Sequence, residues 1–318
     1  MFRVSRLIWE ILAAQTCEER VAARSLEWLA ANAGDFLPRP DTAPSEAALT
    51  ALAEMALLVG QTAGLRGGRP KPEREREYVQ RLAAAALHSF GTPHVLGFYR
   101  TGPAEAGIGL LVTWLGLRAY DSERSLSKDA VAAFVRERQV ERPERSPMRK
   151  MELRWVLDGI GLAHRLPPMR VLLEASLPRD VVEHDAGDMT EAEIYGFTHT
   201  VFYGTDYGRA LRLFEETGLT VLSRAHALLL LERMQRKEHW DLTAELVLAY
   251  RCLGGGAAAA VDGAWRALSA AQAADGSFPA ADEAPIRDEP HPRRNWALRR
   301  YHVCLAAALA AFVPPRQP

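Results

Sequence analysis

The 318-residue sequence has few cysteines, no long apolar run and no recognisable export signal. Its three cysteines, Cys17, Cys252 and Cys304, are odd in number and widely spaced, which is typical of reduced thiols and predicts a cytoplasmic location. Residues 1–14 contain two arginines but no continuous apolar core, so we expect no signal peptide. The apolar runs fall short of the roughly eighteen residues that a membrane span needs, so we expect no membrane partner.

The sequence also lacks an excess of charge of either sign. Its 39 basic and 40 acidic residues leave a net charge of -1, so no overall field would attract nucleic acid. Hydrophobic residues make up 48% of the chain, which is ordinary for a folded protein. We therefore expect one folded domain over residues 1–318, with no nucleic-acid partner.

Standard catalytic motifs are missing too. The sequence has no phosphate-binding Gly-x-x-x-x-Gly-Lys-Ser/Thr loop, no nucleophile elbow, no His-Glu-x-x-His and no Cys-x-x-Cys pair. These absences argue against nucleotide hydrolysis, serine hydrolysis and thiol redox chemistry.

Strand patterns are scarce, and apolar residues instead recur at the three- and four-residue spacing of an amphipathic helix. One such stripe consists of Leu153, Val156, Leu157 and Ile160. Glycines and prolines interrupt these stripes at intervals of roughly 15 to 40 residues. The sequence therefore predicts an all-α fold built from helical hairpins.

Three segments depart from the helical pattern. Arg66–Arg76 and Arg136–Lys150 mix arginine, glutamate and proline, so we interpret them as solvated loops or helix ends without a function of their own. Gly276–Asn295 is rich in proline and acidic residues, which predicts a long surface loop. Long loops in compact domains often cover sites, so this segment is a candidate lid.

Two distant segments, Ser25–Pro38 and Trp265–Pro279, repeat one pattern of helix, polar amide, turn, aromatic residue and proline. Such self-similarity is typical of folds that stack one supersecondary unit. The second copy resembles the glutamine-tryptophan repeat of terpenoid cyclases and related α/α-toroid proteins, through Leu268, Gln272, Asp275, Gly276 and Phe278. The resemblance implies an α/α toroid, in which the glutamine caps a helix end and the aromatic ring fills the gap between hairpins.

The known activities of toroid proteins do not transfer. Protein prenyltransferases bind zinc through Asp, Cys and His, and Asp241, Cys252 and His302 resemble a degraded form of that set. Asp241 and Cys252 are eleven residues apart, however, whereas the corresponding pair in that family lies close together. The acidic motif of class II terpene cyclases and the cysteine-histidine set of lanthipeptide cyclases are absent. The sequence also resembles an uncharacterised family of bacterial helical proteins associated with natural-product pathways, which implies a biosynthetic role.

Polar residues recur near the predicted starts of apolar helices, at His94, His199, Asp241 and His302. If these helices form the inner ring of a toroid, equivalent positions face the same central mouth. We therefore predict that His199, Asp241 and His302 converge and bind a divalent metal. Imidazole and carboxylate are ligands suited to zinc, which makes zinc a candidate cofactor.

Further candidates lie near these residues in the sequence. Thr190 and Glu193 form a capping box, and in the helix that follows, Tyr203 and Asp206 share a face with His199. Glu245 lies one turn after Asp241. We interpret Tyr203, Asp206 and Glu245 as catalytic, with Asp206 or Glu245 as an outer-shell group or general base. Structural roles remain open, since Asp241 could be a helix cap, Asp206 a turn residue and Glu245 a solvent-facing residue.

Three functions follow from this pattern. The leading hypothesis is a metal-dependent biosynthetic enzyme that acts on a small or peptide-linked metabolite in a central cleft. A metal-free carbohydrate-active enzyme would instead pair Asp206 with Asp241 or Glu245 as acid and base. A non-catalytic binding or scaffold module of helical hairpins would use a wide concave surface.

Overall fold

The computed structural model describes residues 16–64, 73–118, 120, 126–142, 144–177, 186–280 and 291–315. Within these ranges all regular secondary structure is helical and no strand occurs, which confirms the predicted all-α class. No helix in the described ranges is both long enough and apolar enough to cross a membrane.

The helices are α1 (Cys17–Phe36), α2 (Glu46–Gly64), α3 (Glu73–Phe90), α4 (Pro93–Thr101), α5 (Gly107–Leu117), α6 (Lys128–Arg138), α7 (Pro147–Ile160), α8 (Met169–Ser176), α9 (Glu191–Gly204), α10 (Arg212–Thr217), α11 (Thr220–Arg236), α12 (Trp240–Cys252), α13 (Ala259–Ala271), α14 (Pro292–Leu298) and α15 (Tyr301–Phe312). A 3-10 turn, Ala104–Ala106, precedes α5.

Local sequence signals determine where several helices begin and end. The Thr190 hydroxyl accepts the backbone N–H of Glu193, and the Glu193 carboxylate accepts the backbone N–H of Thr190, so the predicted capping box starts α9. Ser146 caps α7 directly before Pro147, and Gly161 ends that helix with a positive φ of 75°. Leu153, Val156, Leu157 and Ile160 of α7 are all buried, as their spacing predicts.

Six helices surround a central cavity, and we call them the cavity helices. They contact one another in chain order: α2 packs on α5, α5 on α7, α7 on α9, α9 on α12, α12 on α15, and α15 on α2. Other helices pack against members of this set, with α1 on α15, α3 on α2, α8 on α7 and α11 on α12. Buried apolar side chains from the whole described chain, from Val21 to Val313, join in one hydrophobic core.

The closest helix contact brings the backbone of α2 against that of α5. A Cβ atom added at Gly60 would lie 2.7 Å from the Cα atom of Gly116, and one added at Gly116 would collide with the backbone of Ala56. Both positions therefore need glycine, because any side chain there would push the two helices apart.

The two repeated segments pack against each other through α1 and α13. The Gln272 side-chain amide donates hydrogen bonds to the Ser25 hydroxyl at 3.2 Å and to the Gly276 carbonyl at 3.0 Å. The ring of Phe278 is completely enclosed, with 1% of the residue exposed. Gln272 and Phe278 therefore have structural roles, as the resemblance implies.

The structure shortens the predicted surface loop and places helix ends in the two charged segments, as their composition predicts. In Gly276–Asn295, Ser277 and Phe278 are buried and α14 begins at Pro292, so the candidate lid is reduced to residues 281–290, which lie outside the described residues. In Arg66–Arg76, α3 begins at Glu73, and residues 65–72 lie outside the described residues. In Arg136–Lys150, α6 continues to Arg138 and α7 begins at Pro147.

Candidate functional site

The central cavity has a volume of about 540 Å³, and every cavity helix contributes side chains to its wall. Much of the wall is apolar and includes Leu49, Leu57, Leu248, Leu305 and Leu309. The polar side chains of the wall include Glu54, Arg149, Glu152, His199, Tyr203, Glu245 and His302. A mostly apolar cavity of this size with a few ionisable groups is typical of a small-molecule site.

Two adjacent cavity helices position the groups at the polar end of this cavity. Asp241 and Glu245 lie one turn apart near the start of α12 and therefore point to the same side. His302 is the second residue of α15, which packs on α12. The cap of α12 is His239, whose Nδ1 atom accepts the backbone N–H of Leu242 at 3.2 Å. Asp241 is therefore free of the capping role that its position in the sequence left open.

The His302 imidazole lies among three carboxylates, and we call the four residues His302, Asp241, Glu245 and Glu54 the His302 cluster. The Nδ1 atom of His302 is 2.7 Å from Oδ1 of Asp241. Its Nε2 atom is 3.7 Å from Oε1 of Glu245 and 3.7 Å from Oε1 of Glu54. Ligand atoms of Asp241, Glu245 and His302 all lie within 4.8 Å of one another, a spacing that a metal ion can bridge.

Hydroxyl groups hold the three carboxylates in place, one for each. The donors are Tyr195 to Oδ2 of Asp241 at 2.5 Å, Thr198 to Oε2 of Glu245 at 2.5 Å, and Tyr301 to Oε2 of Glu54 at 2.7 Å. In every case the second carboxylate oxygen is turned toward His302. The cluster is therefore rigidly held, and its remaining lone pairs converge on one imidazole.

The electrostatics of the cluster follow from burial and from this excess of carboxylates. Burial opposes the charge on His302, but Asp241 and Glu54 outweigh it and hold the pKa of the imidazole well above its usual value. Burial raises the pKa of Glu245 despite the nearby imidazoles. Burial also acts to raise the pKa of Asp241, but the contact with His302 reverses the effect and lowers it. The carboxylates of the cluster thus outnumber its single imidazole, which favours a further cation.

His199 does not join this cluster. It lies in the middle of α9 rather than at the start of a helix, and its Nδ1 atom is 2.8 Å from the Tyr195 carbonyl. The same atom is 4.0 Å from Oε2 of Glu245. Glu245 therefore occupies the place beside Asp241 and His302 that was predicted for His199. Because a carbonyl only accepts, Nδ1 of His199 donates this hydrogen bond, and His199 itself lines the cavity.

Tyr203 lies on the cavity wall as part of a separate row of polar groups. Its hydroxyl donates to Oε1 of Glu152 at 3.0 Å, and Oε2 of Glu152 pairs with Arg149 at 2.6 Å. Burial, with Glu152 adding to it, raises the pKa of Tyr203 well above its usual value. The Tyr203 hydroxyl is therefore neutral, and it donates its hydrogen bond to Glu152.

Asp206 lies away from the cavity. It lines a second pocket of about 440 Å³ with residues from the C-terminal ends of α2, α5 and α7. Its carboxylate accepts two hydrogen bonds from Arg209, at 2.8 and 2.9 Å, and one from the Trp155 indole at 2.7 Å. The predicted face shared with His199 ends before Asp206, because α9 stops at Gly204 and Asp206 adopts a positive φ of 49°.

Five charged residues of the cavity were not predicted from the sequence: Glu46, Glu54, Arg145, Arg149 and Glu152. Glu54 had a visible signal, since it is the single ionisable residue between Ala47 and Gly60. Arg149 belongs to a charged segment that was interpreted as solvated, yet its guanidinium lines the cavity. Glu152 had no comparable signal, because it lies two residues after the end of that charged segment and does not stand out as a lone charge.

Residues 22–312 match the family model of a domain of unknown function, DUF6895. The chain belongs to this family. All four residues of the His302 cluster lie within the matched range. Comparison with curated proteins gives no match.

Proposed function

We propose that this DUF6895 protein is a metal-dependent biosynthetic enzyme that acts on a small or peptide-linked metabolite in the central cavity. The observation that carries the proposal is the His302 cluster, in which an imidazole on the wall of an apolar cavity meets three carboxylates. Buried carboxylates are costly unless they are paired, hydrogen-bonded or bound to a cation. A divalent cation would supply the positive charge that the cluster lacks.

We also propose that the fold is an α/α toroid, with the cavity helices as its inner ring. The closed order of contacts from α2 through α15 and back to α2 supports this proposal. So does the packing of the two repeated segments through Gln272 and Phe278. A toroid places the starts of several inner helices at one mouth, which is how residues as distant in the chain as Asp241 and His302 meet.

The groups around the cluster suggest a different role for each in binding and catalysis. The cation would act as a Lewis acid that polarises an oxygen of the substrate. His199, whose Nδ1 atom donates to the Tyr195 carbonyl, lines the cavity and is the candidate general base through its other ring nitrogen. The leucines farther along α12 and α15 would hold the apolar part of the substrate and exclude water. Tyr203 would donate to Glu152 or to a bound substrate.

Elemental analysis of the purified protein, followed by incubation of metal-loaded and chelated protein with metabolite extracts, tests this function. We expect about one divalent ion per chain, and a conversion that disappears both on chelation and in His302→Gln. Glutamine can still hydrogen-bond to Asp241 but supplies no imidazole ligand. A chain that binds no divalent ion, or a conversion that survives complete chelation, would contradict the proposal.

A metal-free acid–base enzyme is the second candidate, and one observation favours it. The pKa of Glu245 is raised while that of Asp241 is lowered, and such divergence often marks an acid and a base. Activity retained under chelation but lost in Glu245→Gln would select this candidate. Binding of a metabolite without conversion would instead select a non-catalytic carrier.

A further inference from the structure

We propose that Glu54 is a ligand of the metal, together with Glu245 and the Nε2 atom of His302, and that Asp241 orients His302 without touching the ion. The inference rests on the proposed metal-dependent function and assigns the individual atoms within it. It differs from the set of Asp241, Glu245 and His302 that spacing alone suggests.

Both oxygens of Asp241 are already occupied. Oδ1 is 2.7 Å from Nδ1 of His302, and Oδ2 accepts the Tyr195 hydroxyl at 2.5 Å. A separation of 2.7 Å is that of a hydrogen bond, whereas two ligand atoms about 2.1 Å from one ion are roughly 3.0–3.7 Å apart at angles of 90–120°. Asp241 is 6% exposed and does not line the cavity. It therefore lies behind the imidazole.

The opposite side of the imidazole faces the carboxylates of Glu54 and Glu245. If Nδ1 of His302 donates to Asp241, Nε2 can offer its lone pair to an ion once it loses its proton. Oε1 of Glu54 and Oε1 of Glu245 each lie 3.7 Å from Nε2, within the spacing of atoms that share an ion. Neither oxygen has a hydrogen bond to another group in the described part of the chain, since Tyr301 and Thr198 bind the second oxygen of each carboxylate.

All three proposed ligands line the cavity, so an ion between them would keep positions open to a substrate. Glu245 is 2% exposed and points its free oxygen into this space, which is costly for a carboxylate without a partner. An aspartate behind a ligating imidazole is also a common outer-shell arrangement, because it fixes the ring and makes it more basic.

The ligand atoms indicate which ions would bind. One imidazole nitrogen and two carboxylate oxygens suit Mn²⁺, Fe²⁺ and Zn²⁺, and none of the ligands is a soft thiolate that would select Cu⁺. Mn²⁺ is the most useful probe, because its unpaired electrons report both its binding and the number of water molecules that it carries.

The test is a titration of the full chain with Mn²⁺, followed by electron paramagnetic resonance for free ion and by water-proton relaxation for bound water. We compare wild type with Glu54→Gln, Glu54→Ala and Asp241→Asn, and with Glu46→Gln as a control on an exposed carboxylate of the cavity wall. Glutamine at position 54 can still accept the Tyr301 hydroxyl, so we expect this variant to fold.

We expect Glu54→Gln to weaken Mn²⁺ binding by more than the roughly 10- to 100-fold that outer-shell changes cause, whereas Asp241→Asn stays within that range. Saturated Glu54→Ala should show one more bound water than wild type, and Asp241→Asn should show no more. Glu46→Gln should match wild type in both measurements.

Two other results are informative. If Glu54→Gln binds Mn²⁺ like wild type and Asp241→Asn gains a bound water, the inference is overturned while the metal-dependent function stands. If wild type binds neither Mn²⁺, Fe²⁺ nor Zn²⁺, the proposed function itself fails. Should Glu54→Gln not fold, Glu54→Asp provides the same comparison, because it keeps the charge and shortens the reach to the ion.

Discussion

Carboxylates lie at both ends of the cavity helices, and they differ in how their charge is compensated. At one end, Asp206 accepts two hydrogen bonds from Arg209 and one from Trp155. At the other end, Glu245 is almost completely buried and shares the single imidazole of His302 with Asp241 and Glu54. Asp206 is satisfied by its own neighbours, whereas the His302 cluster gathers three carboxylates around one imidazole.

A carboxylate's position in the sequence says little about its role until its partners are known. Asp206 and Glu245 were both predicted to be catalytic. Only Glu245 reaches the cavity wall, where burial raises the pKa of its carboxyl group. Predictions that treat the two ends differently therefore test this interpretation.

The largest expected difference is in metal affinity. Glu245→Gln removes a charged oxygen that faces His302, so we expect the affinity for Mn²⁺ or Zn²⁺ to fall by about 100-fold or more, beyond the usual outer-shell effect. Asp206→Asn is the matched control and should leave the affinity unchanged. Isothermal titration calorimetry measures both variants, and equal losses in the two would remove the distinction between the ends.

A smaller effect, on the free energy of unfolding, is expected at the close backbone contact between α2 and α5. Gly116→Ala places a methyl group against the backbone of Ala56, and overpacking of this kind costs about 1–3 kcal/mol or more. Urea unfolding monitored by circular dichroism measures the loss. Gly34→Ala in α1 is the control, since a Cβ atom there has no neighbour within 4 Å and alanine favours helix. Similar stability of the two variants would show that the helices are not held this closely.

The pH dependence of metal binding gives a third test. The carboxylates around His302 hold its pKa above the usual value, so the imidazole carries a proton that the ion must displace. Below that pKa we expect the affinity to rise about tenfold per pH unit, and above it to level off, because one proton is released. Titrations in buffers of different ionisation enthalpy count the protons. Release of no proton in the range where the imidazole is charged would contradict Nε2 as a ligand.

The fold class and part of the site were predictable from the sequence because they depend on local patterns. Helical periodicity gave the all-α class, and the spacing of Asp241 and Glu245 placed both on one side of α12. The meeting of Asp241 with His302 was predicted from equivalent helix starts, and the two side chains are 2.7 Å apart at Oδ1 and Nδ1.

The remaining parts of the site depend on tertiary packing. His199 was treated as a residue near a helix start, although the capping box at Thr190 already placed it in the middle of α9. Glu54 could be seen as a lone charge in an apolar helix, but its partner depends on the packing of α15 against α2. Asp206 left the predicted face because three consecutive residues, from Asp206 to Gly208, adopt positive φ values.

The most direct test of the metal-dependent site is the anomalous diffraction of crystals grown with Mn²⁺ or Zn²⁺ and measured at the absorption edge of the metal. We predict one strong peak per chain, about 2.0–2.3 Å from Nε2 of His302 and close to the free oxygens of Glu54 and Glu245. A cavity without a peak at saturating metal, or a peak bound only to surface groups elsewhere on the protein, would contradict the assignment.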